Sequence, residues 1–133
     1  MTARREAACR CGGFTAVCEG QPDRVAACHC LECQRRTGSI LSVQAWFPSD
    51  HLTVSGPCRA WTRVSATGRT ITYRFCPTCG STVLIDHAGL PGLIGVTVGA
   101  FADPTFPAPV ASLWEQRRHA WAVICGDDIE HTD

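Results

Sequence analysis

The chain has 133 residues, 45% of them hydrophobic, and its 12 basic side chains balance 12 acidic ones. That length and composition fit a single domain over residues 1–133 and exclude a disordered chain. Zero net charge argues against a nucleic-acid partner, no apolar run is long enough to cross a bilayer, and Met1-Thr2-Ala3-Arg4-Arg5-Glu6 lacks the apolar stretch of an export signal, so a cytoplasmic location is expected.

Taken in chain order, residues 14–18 (Phe-Thr-Ala-Val-Cys) read as a first strand. Residues 32–37 are polar and stop at Gly38, which predicts one short helical turn. In residues 41–47, Leu41, Val43, Ala45 and Phe47 fall on one face of a strand. In residues 70–75, Ile71, Tyr73 and Phe75 alternate with Thr70, Thr72 and Arg74, the period of a half-buried strand. Residues 82–85 and 93–98 are further apolar runs bounded by turn residues. Residues 103–109 hold three prolines and form a loop. Residues 111–119 read equally as a short helix or an irregular segment, and residues 121–124 as a last strand. No repeat, low-complexity tract or linker divides the chain. The expectation is a mainly β, antiparallel domain.

Ten cysteines are a large excess for this length. Without an export signal they point to metal rather than to disulfides. Cys76-Pro77-Thr78-Cys79-Gly80 is the strongest local signal, because a tight reversal between the cysteines lets two thiolates converge on one ion. A redox pair of that spacing opens a helix, whereas residues 81–85 read as a strand. Cys9 and Cys11 can complete a four-thiolate structural site that ties the N-terminal segment to the middle of the chain. Cys28-His29-Cys30-Leu31-Glu32-Cys33 can cap one face of a tetrahedron and leave the fourth position open, as catalytic zinc sites do. The alternative joins Cys30 and Cys33 to Cys76 and Cys79 in a single ribbon site. Cys18 and Cys125 sit in apolar patterns and read as small buried side chains, while Cys58 has no partner at metal spacing.

Taken together, Cys9-Arg10-Cys11, then Cys28-His29-Cys30-Leu31-Glu32-Cys33, then Phe75-Cys76-Pro77-Thr78-Cys79-Gly80 resemble the glutathione-dependent formaldehyde-activating enzyme family, which also includes centromere protein V. Residues 35–39, residues 98–104 and Trp121 are softer matches, so the likeness runs from about residue 9 to residue 124. The resemblance implies a β-tent fold of small antiparallel sheets with zinc knuckles at strand ends. It implies two zinc ions per chain, a structural one at Cys9, Cys11, Cys76 and Cys79 and a catalytic one at Cys28, Cys30 and Cys33. It further implies carbon–sulfur lyase chemistry, the reversible addition of glutathione to formaldehyde.

Three thiolates give a zinc centre a net charge near −1, which suits binding of a soft thiol better than acidifying water. A thiol held there would add to a nearby small aldehyde. His29 is either the proton shuttle or a structural side chain facing away from its neighbours. Arg35 and Arg36 are candidates to pair with a substrate carboxylate. Arg117, Arg118 and Trp121 are weaker candidates for the pocket wall, and Trp46, Trp61 and Trp114 read as core or rim. The competing reading is a zinc-stabilised binding or chaperone-like module without catalysis.

Overall fold

The computed structural model describes residues 3–133. Its strands are β1 (Arg4–Ala8), β2 (Thr15–Glu19), β3 (Arg24–Cys28), β4 (Ser42–Pro48), β5 (Leu52–Ser55), β6 (Arg59–Val64), β7 (Thr70–Phe75), β8 (Thr82–His87), β9 (Leu93–Thr97), β10 (Ala111–Leu113) and β11 (Glu130–His131). One short helix, α1 (Leu31–Thr37), follows β3 and ends at Gly38. The protein is mainly β, and the cysteine clusters lie at strand ends.

A three-stranded sheet runs β1-β2-β5, and an eight-stranded sheet runs β11-β10-β3-β4-β9-β8-β7-β6. Most pairings are antiparallel, as the short turn-bounded runs predict. Strand β10 departs from that pattern and lies parallel to both β3 and β11. It reaches β3 only after a long excursion of the chain, and such an excursion can return in either direction, whereas a tight hairpin cannot. Residues 111–119 therefore resolve into this strand and a single 3₁₀ turn, Glu115–Arg117. The expected strand over residues 121–124 does not form. Trp121 is 74% exposed and Val123 58% exposed, and the edge of β10 away from β3 is taken by β11.

The two-residue period gives the large sheet two different faces. Val25, Ala45, Phe47, Leu84 and Val96 pack with Ala7, Ala16 and Cys18 of the small sheet, and with Phe14 just before β2, into the main core. This includes the face expected for residues 41–47, with Val43, Ala45 and Phe47 in that core. The other face of β4 is also covered, because Ser42, Gln44 and Trp46 are buried as well. On that side Trp46, Ile71, Tyr73 and Ile85 form a second cluster. Register makes them neighbours: Trp46 and Ile85 both pair with Gly95, and Ile85 pairs with Tyr73. The Trp46 indole lies against Gly95, where a methyl group would come within 2.9 Å of its ring carbons. That glycine leaves space for a large side chain to lie flat and floor a cavity.

Candidate metal centres and active site

Two groups of cysteines converge among the described residues. In the first, Cys9 follows β1 and Cys11 lies in the turn after it, while Cys76 and Cys79 occupy the turn between β7 and β8. Their four sulfurs all lie within 4.8 Å of one another. Cys11 Sγ is 3.7 Å from Cys9 Sγ and 3.6 Å from Cys76 Sγ. A tetrahedral ion with Zn–S bonds of about 2.3 Å would separate its sulfurs by about 3.8 Å, whereas a disulfide needs about 2.05 Å. The spacing fits a four-thiolate metal site, and all ten cysteines are free.

Local backbone builds that spacing. The Phe14 amide donates to Cys9 Sγ at 3.2 Å and the Thr78 amide to Cys76 Sγ at 3.4 Å. The turn between Cys76 and Cys79 closes with the Gly80 amide donating to the Cys76 carbonyl, and Gly80 takes φ of 79°, a conformation that favours glycine. Hydrogen bonding to Ser81, whose hydroxyl lies 3.4 Å from the sulfur, holds the Cys79 thiol down to about 5. A readily formed thiolate is what a metal ligand requires.

The second group is Cys28, Cys30 and Cys33, whose sulfurs also lie within 4.8 Å of one another. Cys28 ends β3, Cys30 is the N-cap of α1, and Cys33 sits in its first turn. The Cys33 amide donates to Cys30 Sγ at 3.3 Å, so the first turn of the helix wraps around that sulfur. Cys30 is pushed far down because Cys28 and Cys33 hydrogen-bond to its thiolate, with the Cys33 amide and Arg63 assisting. Cys28 is pushed up by the same sharing, with burial added. Three converging sulfurs are three of the four ligands that a tetrahedral divalent cation takes. The single-ribbon arrangement of Cys30 and Cys33 with Cys76 and Cys79 is not formed.

The three sulfurs open onto a cavity of about 510 Å³. That is the size range of small-molecule sites. Its floor is the second face of the large sheet, with Gln44, Trp46, Ile71, Tyr73, Ile85 and His87. Arg24, Arg36, Arg63 and Arg117 bring four positive charges to its walls against the single carboxylate of Glu32. Glu32 lies 3.9 Å from Arg63. Trp114, at the rim, adopts φ 56° and ψ 43°, a left-handed conformation uncommon for so bulky a residue.

Each residue singled out in the sequence has a definite place. His29 is fully buried, its Nε2 lies 2.9 Å from Ser112 Oγ on β10, and its Nδ1 has no partner among the described residues. Burial pulls its pKa down. It does not join the sulfur cluster. Arg35 is exposed, whereas Arg36 lies over the Tyr73 ring at 4.9 Å, with Nε and Nη2 shielded and unpartnered among the described residues. Arg117 and Trp114 line the cavity. Arg118 instead donates to the carbonyls of His119, Ala120 and Ala122, and Trp121 packs edge-on to His119. Cys18 is buried as expected. Cys125 is exposed, a correction that follows from the missing strand over residues 121–124, and Cys58 is exposed too. Arg63, His87 and Tyr73 were not foreseen as cavity residues. The alternation in residues 70–75 marks Tyr73 as inward-facing, but not that a cavity lies on that side.

The family profile for the glutathione-dependent formaldehyde-activating enzyme matches residues 4–117. The chain belongs to the glutathione-dependent formaldehyde-activating enzyme family. The match takes in both cysteine clusters and the strands that carry them, which links the family to a formaldehyde-related, glutathione-linked function. No curated protein matches the chain. A solved structure of a Rhodobacter sphaeroides protein superposes with a TM-score of 0.56 at 21% identity, covering 74% of this chain and 91% of that one, a likeness of fold alone. No helix among the described residues is long and apolar enough to cross a membrane.

Proposed function

We propose that this member of the family is a zinc-dependent enzyme of carbon–sulfur lyase type, joining and separating a glutathione-like thiol and a small aldehyde. The observation that carries the reading is the Cys28, Cys30 and Cys33 cluster opening onto the arginine-walled cavity. Cys9, Cys11, Cys76 and Cys79 would hold a structural zinc, and the trio would hold a second. Zinc at the trio would supply an open coordination position at which an incoming thiol is favoured as its thiolate.

The chain's own side chains do the rest. Arg36, with two shielded nitrogens unpartnered among the described residues, is placed to take a carboxylate of the thiol substrate. Trp46, Ile71 and Ile85 give the cavity an apolar patch of floor, which strengthens charge interactions above it. His29, clasped to Ser112, supports a role in holding the loop between Cys28 and Cys30 in shape. A purely structural second metal would want a fourth protein ligand, yet neither His29 nor Cys58 stands with the trio.

Zinc content and a thiol panel assayed against formaldehyde test the reading together. Two zinc ions per chain and turnover above the uncatalysed rate with an anionic thiol are expected. One tightly bound zinc and no turnover with any thiol would leave the binding-module reading in its place.

A further inference from the structure

Tyr73 is the only tyrosine of the chain, and the chemistry above gives it no task. It lines the same cavity as Cys28, Cys30 and Cys33, and the residue is 5% exposed. Its ring is fixed by stacking on Trp61 at 5.9 Å and by the Arg36 guanidinium 4.9 Å from its centroid. Its hydroxyl oxygen accepts a hydrogen bond from Arg63 Nε at 2.9 Å. Among the described residues no side chain or carbonyl accepts the phenol's own proton. A hydroxyl both donates and accepts, so one arm of this one is occupied and the other is free. Burial raises the phenol's pKa against the pull of Arg63, so it keeps its proton at neutral pH.

We propose that Tyr73 is a catalytic residue whose hydroxyl donates to the aldehyde's carbonyl oxygen and protonates it as the carbon–sulfur bond forms. This rests on the thiol–aldehyde reading of the site. The thiol first releases its proton to solvent. The sulfur lone pair then forms the bond to carbon, the carbonyl π pair moves onto oxygen, and the Tyr73 O–H bond breaks to deliver the proton there. The phenolate left behind faces the Arg63 N–H and regains a proton from solvent, so the sum is thiol plus aldehyde giving a hydroxyalkyl thioether. In reverse the phenolate removes the hydroxyl proton and the carbon–sulfur bond breaks. Pinning by Arg63, Arg36 and Trp61 is what such a donor needs, since its geometry is set before the substrate arrives.

The test uses the zinc-loaded full chain with glutathione and formaldehyde as probes. Tyr73→Phe keeps the ring and its stacking. It is expected to lower kcat about 100-fold while leaving KM for glutathione and the zinc content unchanged, the signature of an interaction made in the transition state. Growth on 3-fluorotyrosine places a single fluorine beside this phenol, because no other tyrosine exists. Its ¹⁹F resonance is expected to move when both probes are present and to stay put with glutathione alone. Should Tyr73→Phe lose its zinc or its fold, the fluorine signal decides. An unchanged kcat in a folded Tyr73→Phe, or an unmoved fluorine in a protein that turns over, overturns the role of Tyr73 alone. A wild-type protein with no turnover overturns the thiol–aldehyde reading and Tyr73's role with it.

Discussion

Between two cysteines that share a cluster, His29 turns the other way and meets Ser112, 83 positions along the chain. Neighbouring residues on extended backbone face opposite sides, so its sequence position allowed that orientation, but the partner on β10 was invisible to any local pattern. The cysteines were legible because their chemistry is local, with two or three sulfurs supplied by one turn. Arg63 and His87 were not, since both lie outside the strands legible in the sequence and become cavity residues only through register with β7. His87 also carries a pH dependence. Its Nδ1 accepts the Gly89 amide at 2.9 Å, and burial, with Arg63 and Arg69 nearby, pulls its pKa down. The folded state therefore resists a proton that the unfolded chain accepts below about pH 6.5, so stability is full above that pH and falls as pH drops toward the lower folded pKa. His87→Asn can still accept the amide but cannot titrate. Thermal melts from pH 7 to 5 should show the wild type losing more stability than this variant; parallel curves would remove His87 from the account.

Helix α1 carries Cys33 and is capped by Cys30, and Gln34 ties it to two other segments. The Gln34 side-chain amide donates to the carbonyls of His29 at 2.9 Å and Arg117 at 3.0 Å, and its oxygen lies 3.1 Å from His119 Nε2. One residue thus joins the cysteine loop, the helix and the segment after β10. Gln34→Ala is expected to cost about 1–2 kcal/mol and to speed amide exchange over residues 117–122 while leaving zinc content unchanged. Unchanged exchange there would mean that the segment is held by Arg118 alone. Strands β7, β8 and β9 were readable as alternating or continuous apolar runs, and α1 as a polar turn ending in glycine. Strands β1 and β6 were not, because their exposed, charged or short sequences (Arg-Arg-Glu-Ala-Ala and Arg-Ala-Trp-Thr-Arg-Val) lack a clean period and are strands by virtue of their partners. Strands β10 and β11 are too short to carry any pattern.

Across the whole molecule, the two sheets share one core, and the four-cysteine site joins the first turn of the small sheet to a turn of the large one. Loss of a cysteine from it is therefore expected to loosen the seam between the sheets, whereas loss of one from the trio is expected to leave the seam closed. Cys76→Ser is expected to lower the melting temperature by more than about 10 °C, and Cys30→Ser to hold the fold while abolishing turnover. The reverse order of melts would exchange the roles of the two sites. A strong chelator should likewise abolish the cooperative transition, with calorimetry as the readout, and restored zinc should bring it back. The separation of ligands along the chain has a consequence for synthesis. Cys11 and Cys76 stand 65 positions apart, whereas the trio fits within one short loop. Closing the longer span costs about 2 kcal/mol more in chain entropy. On the ribosome, then, the trio would be complete as soon as its own loop emerges, while the four-cysteine cluster is complete only after more than half the protein is made. Were both clusters to hold zinc as proposed, a growing chain would be loaded at the trio before its N-terminus is fastened.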